Sequence, residues 1–151
     1  MNPTSPPPRV SPQEAAQLLD SGEYAYLDVR TPEEFALGHA RGAYNVPSHL
    51  EAGGGRLPNE DFVGVVQAAF TRGTKLVVGC QVGSRSVVAA QQLMAAGFEV
   101  VEMHAGYGGA RDAFGRVTEK GWLALGLPTS SEPEPAHDYA TLLARFRVVL
   151  R

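Results

Sequence analysis

Lys75-Leu76-Val77-Val78-Gly79-Cys80-Gln81-Val82-Gly83-Ser84-Arg85-Ser86-Val87-Val88 passes from an apolar, β-branched run into a short polar loop and out again into a helical pattern. The first four residues predict a buried strand. Val87, Val88, Gln91, Leu93, Met94 and Ala95 recur at helical spacing until Gly97 stops the helix. A strand, a tight loop and a helix N-terminus in that order make an anion cradle. Backbone N–H groups of the loop and first turn converge on one point, and the helix dipole adds positive character there. The single cysteine of the chain opens this loop. A lone cysteine is commonly a small buried hydrophobe. Placed where the strand ends and polar residues begin, Cys80 is instead expected to be a nucleophile held as thiolate. Gly83 lets the loop turn, and Arg85 supplies a fixed positive charge with several donors.

Outward from the loop, strands and helices alternate. Ser11-Pro12-Gln13-Glu14 reads as a capping box with proline at the first helical position, opening a helix that runs through Leu19. Tyr24 to Val29 predicts a buried strand, Thr31-Pro32-Glu33-Glu34 a second helix start, and Ala43 to Val46 a brief strand closed by Pro47. Residues 51–58, with three consecutive glycines, are expected to be loop. Phe62, Val65, Val66 and Ala69 mark a helix, and Phe98 to Val101 a strand. Gly106, Gly108 and Gly109 mark a turn, and residues 110–125 read as helical pieces with Trp122 in the core. The alternation implies an α/β fold: a central, mostly parallel sheet with helices on both faces. Cys80 then falls at the carboxyl end of a strand, where such sheets carry their sites.

The chain divides into a flexible proline-rich lead-in (1–9), one domain (10–129), a proline linker (130–136) and a C-terminal amphipathic helix (137–151). Tyr139, Leu142, Leu143, Phe146, Val149 and Leu150 give that helix an apolar stripe, with Arg145, Arg147 and Arg151 between them. The stripe is expected to pack on its own domain; the sharper alternative is a homodimer or protein partner docked through residues 138–151.

Composition excludes several classes. Hydrophobic residues at 44% and charged residues at 19% fit an ordinary globular chain. A net charge of −3 without a lysine-arginine stripe argues against nucleic acid. No apolar run reaches membrane-spanning length, and no basic-then-apolar segment of the secretory kind opens the sequence. One cysteine forms no internal disulfide, and thiolate chemistry needs it reduced, so a cytoplasmic setting is expected. The four histidines, His39, His49, His104 and His137, are dispersed, and no metal site is read.

Cys80-Gln81-Val82-Gly83-Ser84-Arg85-Ser86 resembles the active-site loop of single-domain members of the rhodanese family of sulfurtransferases. Leu27-Asp28-Val29-Arg30-Thr31-Pro32-Glu33-Glu34-Phe35, followed by Gly38-His39-Ala40-Arg41-Gly42-Ala43-Tyr44-Asn45-Val46-Pro47, is similar to the family's N-terminal signature. Gly126-Leu127-Pro128-Thr129 is similar to its ending. The resemblance implies a rhodanese-like fold and a thiosulfate sulfurtransferase that needs no cofactor. A sulfane sulfur would pass from thiosulfate or a similar small anion through a Cys80 persulfide to cyanide or a thiol. It also implies roles: Cys80 catalytic; Gln81, Val82, Gly83, Ser84, Arg85, Ser86 and Arg30 around the substrate; Asp28, Glu34 and His39 supporting the site. For Arg30 a surface ion pair is the competing reading, and for Ser86 a helix cap.

Two rivals stand beside this. Phosphatases and arsenate reductases of related fold use a cysteine-arginine cradle for phosphate-like anions. In the phosphatases the ring runs over seven residues, whereas Cys80 to Arg85 counts six and resembles the smaller sulfur-handling kind. A relay or interaction module accepting sulfur from a protein persulfide would carry nearly the same loop. Gln81, Val82 and Ser84 also make the loop less basic than in the thiosulfate-specific two-domain enzymes.

Overall fold

In the computed structural model of the chain, residues 5–150 are described. The first part of the expected lead-in and Arg151 at the end of the expected tail helix lie outside them.

Five parallel strands form the central sheet, in the order β1, β8, β7, β2, β4. Their spans are Arg9–Val10 (β1), Tyr24–Asp28 (β2), Tyr44–Asn45 (β4), Lys75–Gly79 (β7) and Glu99–Met103 (β8). The strands alternate their side chains between two faces. Leu27, Leu76, Val78 and Val100 bury against helices Phe62–Ala69 (α3), Arg85–Ala95 (α4) and Tyr139–Val149 (α5). Tyr26, Val77 and Met103 bury on the opposite face, with Ala15 of Pro12–Asp20 (α1), Phe35 of Pro32–Leu37 (α2) and Trp122. The α/β class and the doubly covered parallel sheet are therefore as expected.

Local chemistry sets the element boundaries. Both α1 and α2 begin with complete capping boxes, Ser11 with Glu14 and Thr31 with Glu34, and each has proline in its first turn. Gly38 ends α2 with a positive φ of 149°, and His39–Ala40 (β3) then pairs antiparallel with Thr129–Ser130 (β11). That pairing carries residues 129–132 back to the carboxyl end of the sheet.

Four expectations need correction. Residues 51–58 are not loop: His49–Ala52 (β5) and Gly55–Pro58 (β6) form an antiparallel hairpin across Gly53 and Gly54. Both turn glycines have positive φ, as a two-residue hairpin connection requires. Residues 110–125 hold no helix; Ala110–Arg111 (β9) and Val117–Glu119 (β10) make a second small hairpin. Asp112 accepts the Phe114 and Arg116 N–H groups with Oδ1, which turns the chain there. The end of the lead-in is not free: Pro8 C=O accepts the Glu102 N–H at 2.8 Å, and Arg9–Val10 is the edge strand of the sheet. The linker likewise begins inside a strand, at Ser130.

The tail helix α5 is docked on α3. Tyr139 and Leu142 join the core, and Asn59 Nδ2 donates to the Tyr139 hydroxyl at 3.1 Å.

Candidate active site

Strand β7 lies inside the sheet and is apolar from Leu76 to Cys80, so its carboxyl end is rigidly held. Cys80 leaves that end 1% exposed, and the turn Gln81–Ser84 leads into α4. Gly83, at φ 93°, is in the left-handed region, which aims its N–H back at the Cys80 sulfur: N to Sγ is 3.2 Å. The N-terminus of α4 points at the same place, so the sulfur sits where negative charge is favoured.

A second segment braces the loop from outside. Tyr107 N–H donates to Cys80 C=O at 2.7 Å and Gly108 N–H to Gln81 C=O at 2.8 Å. Glycine is required there: a Cβ on Gly106 would lie 2.5 Å from the Cys80 carbonyl oxygen.

Around this loop the other expected residues fall as follows. Arg85 does not reach the sulfur; its guanidinium forks onto Glu34, with Nη1 to Oε1 at 2.8 Å and Nη2 to Oε2 at 2.9 Å. Its charge still acts on Cys80, whereas one N–H on each Nη holds α4 to the start of α2. Burial alone would raise the Glu34 carboxyl. The Arg85 fork, the Thr31 N–H and the charges of Arg85 and Arg56 outweigh that and hold it at about 2.

Arg30 is buried rather than at the surface, and its pair with Asp28 is correspondingly enclosed. Its Nε and Nη2 bond the Asp28 carboxylate, Nη2 also bonds Gly38 C=O at 2.7 Å, and Nη1 bonds Gln81 Oε1 at 3.1 Å. The Tyr107 ring covers the guanidinium at 4.3 Å. Burial would lower the Arg30 pKa, but the Asp28 carboxylate overrides it and raises the value. Asp28 thus fixes Arg30, and Arg30 fixes Gln81.

His39 braces the fold: it is buried, stacked on Phe35 with ring centroids 3.7 Å apart, with Nδ1 2.8 Å from the Phe35 carbonyl oxygen. Val82 and Ser84 are exposed on the loop. Ser84, not Ser86, is the N-cap of α4, and its side chain makes no cap hydrogen bond. Ser86 is fully buried inside the first turn, its Oγ 3.3 Å from Cys80 Sγ.

Beside the loop opens a cavity of about 950 Å³, lined by Arg30, Gly38, Gln81, Tyr107 and Leu123 together with residues 129–132 from β11 onward. Its volume is larger than a small inorganic anion needs. Among the described residues, no group of three or more His, Cys, Asp or Glu side chains is gathered to hold a metal ion, and no helix is long and apolar enough to cross a membrane.

Sequence reasoning missed Glu102, Arg9 and the bracing by Tyr107. Glu102 sits in the run Glu99-Val100-Val101-Glu102-Met103, where alternation alone leaves it undecided which face is covered. Its partner Arg9 lies 93 residues away, beyond any local pattern.

Comparison with known proteins agrees with this architecture. Residues 11–112 match the family model described as "Rhodanese-like domain". The chain is 41% identical over 125 residues to "Thiosulfate sulfurtransferase 16, chloroplastic" of Arabidopsis thaliana, a span covering 83% of this chain and 94% of that protein. It is 31% identical over 114 residues to thiosulfate sulfurtransferase GlpE of Pseudomonas aeruginosa, covering 75% of this chain and 92% of that one. Among solved structures, Rv0390 from M. tuberculosis superposes with a TM-score of 0.72 at 26% identity, over 85% of this chain and 100% of that chain. With the Cys80 loop at the end of β7 and a family model spanning most of the sheet, this chain belongs to the rhodanese-like domain family.

Proposed function

We propose that the protein is a sulfurtransferase that takes a sulfane sulfur from thiosulfate, or a similar small anionic donor, onto Cys80 and passes it to cyanide or a thiol. The observation that carries this is the Cys80 sulfur itself. It is the sole thiol in the sequence, placed at the carboxyl end of β7, receiving the Gly83 N–H and facing the N-terminus of α4. Two relatives matched over nearly their whole length bear the name thiosulfate sulfurtransferase, which supports the same chemistry.

In the first half-reaction the Cys80 thiolate attacks the outer sulfur of the donor. The donor's S–S bond breaks, its electron pair leaves with sulfite, and a persulfide remains on Cys80. The Gly83 N–H and the helix terminus stabilise the charge that moves from Sγ to the outer sulfur, as an oxyanion hole does. Arg85, neutralised by Glu34, adds a weaker field than a free guanidinium would. That moderates the attraction for a doubly charged donor. In the second half-reaction cyanide or a thiolate attacks the outer sulfur and returns Cys80 as thiolate.

The test is intact-mass spectrometry of the reduced protein after brief exposure to thiosulfate, beside Cys80→Ser. A gain of one sulfur atom on the native chain alone, lost on adding cyanide, is the expected result. No gain with thiosulfate overturns the donor assignment, and mercaptopyruvate and a protein persulfide are then the donors to try. The match to a chloroplastic relative leaves the expected cytoplasmic setting as a proposal, checked by localising the tagged chain.

A further inference from the structure

Behind the Cys80 sulfur lies a polar chain that the sulfur-transfer chemistry described above does not use. The thiol faces Ser86 Oγ at 3.3 Å, and the Ser86 hydroxyl donates to Glu102 Oε2 at 2.5 Å. Glu102 is 0% exposed and lies on the same face of β8 as Val100, under α4. Its other oxygen, Oε1, accepts from Arg9 Nε at 2.5 Å. Arg9 is half exposed, and its Nη2 lies 3.8 Å from where a Gly83 side chain would begin. The chain of contacts therefore runs from the sulfur through one hydroxyl to a buried carboxylate, and from there to a guanidinium at the surface.

A carboxylate buried directly behind a nucleophilic sulfur needs a reason. Removing a carboxylate from water is costly even when it is paired. A structural ion pair would serve as well with its acid at the rim, near Arg9. We propose that Glu102 is a positioning residue that takes the Cys80 thiol proton through Ser86, so that Cys80, Ser86 and Glu102 share one proton. This rests on Cys80 being the nucleophile.

The transfer balances without any other reactant. In the resting form Cys80 S–H donates to Ser86 Oγ, and Ser86 O–H donates to the Glu102 carboxylate. As the Sγ–H bond breaks, its proton passes to Ser86 Oγ while the Ser86 proton passes to Glu102 Oε2. Ser86 then donates to the thiolate, and neutral Glu102 donates to Ser86. The pair's total charge is unchanged, so no charge has to be released to solvent when the sulfur becomes nucleophilic. When the acceptor removes the outer sulfur and regenerates the thiolate, the proton can return by the same route. Besides Arg9 within the chain itself, Arg85 from α4 acts on Cys80 through its charge, and Tyr26 of β2 acts on it from the opposite face of the sheet. His104, just past β8, is turned to Glu119.

A shared proton has a signature that a lone thiol lacks. While the pair holds one proton, the fraction of Cys80 present as thiolate is fixed by the internal equilibrium and does not change with pH. Alkylation of Cys80 by iodoacetamide, followed by mass, reads that fraction without any sulfur donor. The native protein is expected to show a pH-independent plateau of alkylation rate, followed by a second rise as the last proton leaves. Glu102→Gln keeps the shape of the side chain and removes the proton acceptor. Its profile is expected to lose the plateau and climb about tenfold per pH unit as a single titration. Persulfide loading by thiosulfate should acquire the same slope and recover towards the native rate at alkaline pH.

A Glu102→Gln protein that melts as the native one does and keeps the native two-step profile overturns the relay, leaving Glu102 an ion-pair partner of Arg9. If Glu102→Gln does not fold, Ser86→Ala leaves the carboxylate with Arg9 and breaks only the connection to sulfur. A two-step profile in Ser86→Ala overturns the proposal equally. A lost plateau in the alkylation assay supports it even if thiosulfate fails to load Cys80. That last result would fault the donor and not the relay.

Discussion

Glu34 and Arg85 join segments 51 residues apart with a fork of two short hydrogen bonds, and Glu34 also caps its own helix by accepting the Thr31 N–H at 3.0 Å. One carboxylate thus fixes the start of α2 and the start of α4, the helix that follows the Cys80 loop. Its carboxyl is held at about 2 in the folded protein, well below the 4.5 of an unperturbed glutamate. A depressed carboxyl contributes stability above the unfolded value and loses it as pH falls towards the folded one. The contribution is therefore complete near neutral pH and disappears between about 4.5 and about 2. Glu34→Gln is expected to cost about 1–2 kcal/mol at neutral pH, after allowance for solvent screening at this partly exposed site. The gap between native and variant denaturant midpoints should narrow from neutral pH to pH near 3 and close only as pH falls to about 2. Parallel curves at both pH values would mean that the fork contributes nothing. Arg85 also illustrates the limit of reading a side chain from its motif. Its position in the loop was legible, but its direction was not, because Glu34 competes for the same guanidinium.

At the scale of elements, the site is a loop gripped between two turns. Residues 105–109 press their backbone onto Cys80 and Gln81, and only glycine permits the approach at position 106. Gly106→Ala would put a methyl group 2.5 Å from one backbone oxygen and 2.7 Å from another, at a φ of 62°. We expect a loss of about 2–4 kcal/mol and a sharp fall in persulfide loading, because the loop must shift to relieve the contact. Gly115→Ala is the control. It has a similar positive φ of 79° and open space around it, so about 1 kcal/mol and unchanged loading are expected. Equal effects of the two substitutions would show that strain at φ, and not the grip on the loop, governs position 106. The helices and sheet strands were legible in the sequence because capping boxes, buried apolar runs and stop glycines act locally. The two hairpins were not. β5 and β6 are mostly exposed and short of β-branched residues, so the three glycines read as loop, although two of them supply the turn. β9 and β10 are held by the Asp112 turn and bury little, leaving no apolar period to separate them from frayed helix.

For the whole molecule the open question in the sequence was what the tail helix does, and the structure seats it on the domain. Leu142 is 1% exposed and Tyr139 is anchored to Asn59, whereas Val148, Val149 and Leu150 at the far end are exposed. The approach to α3 is close: a Cβ on Gly64 would stand 2.5 Å from Phe146 Cε1. The amphipathic stripe was legible, but which surface it covers depends on Gly64 and Asn59, whose partners lie about 80 residues further on. Leu142→Ala empties a fully enclosed site and is expected to cost about 2–5 kcal/mol, lowering Tm by about 5–15 °C in a thermal melt. Val149→Lys, on the exposed end, should stay within about 0.5 kcal/mol of the native protein. Persulfide loading per folded molecule should be unchanged in both, since α5 packs on α3 and not on the Cys80 loop. If instead Leu142→Ala leaves Tm untouched while Val149→Lys changes it or the solution mass, the stripe is serving a contact with another molecule. The docked position on α3 would then be wrong. An unchanged melt in both variants would remove α5 from the stability of the domain altogether.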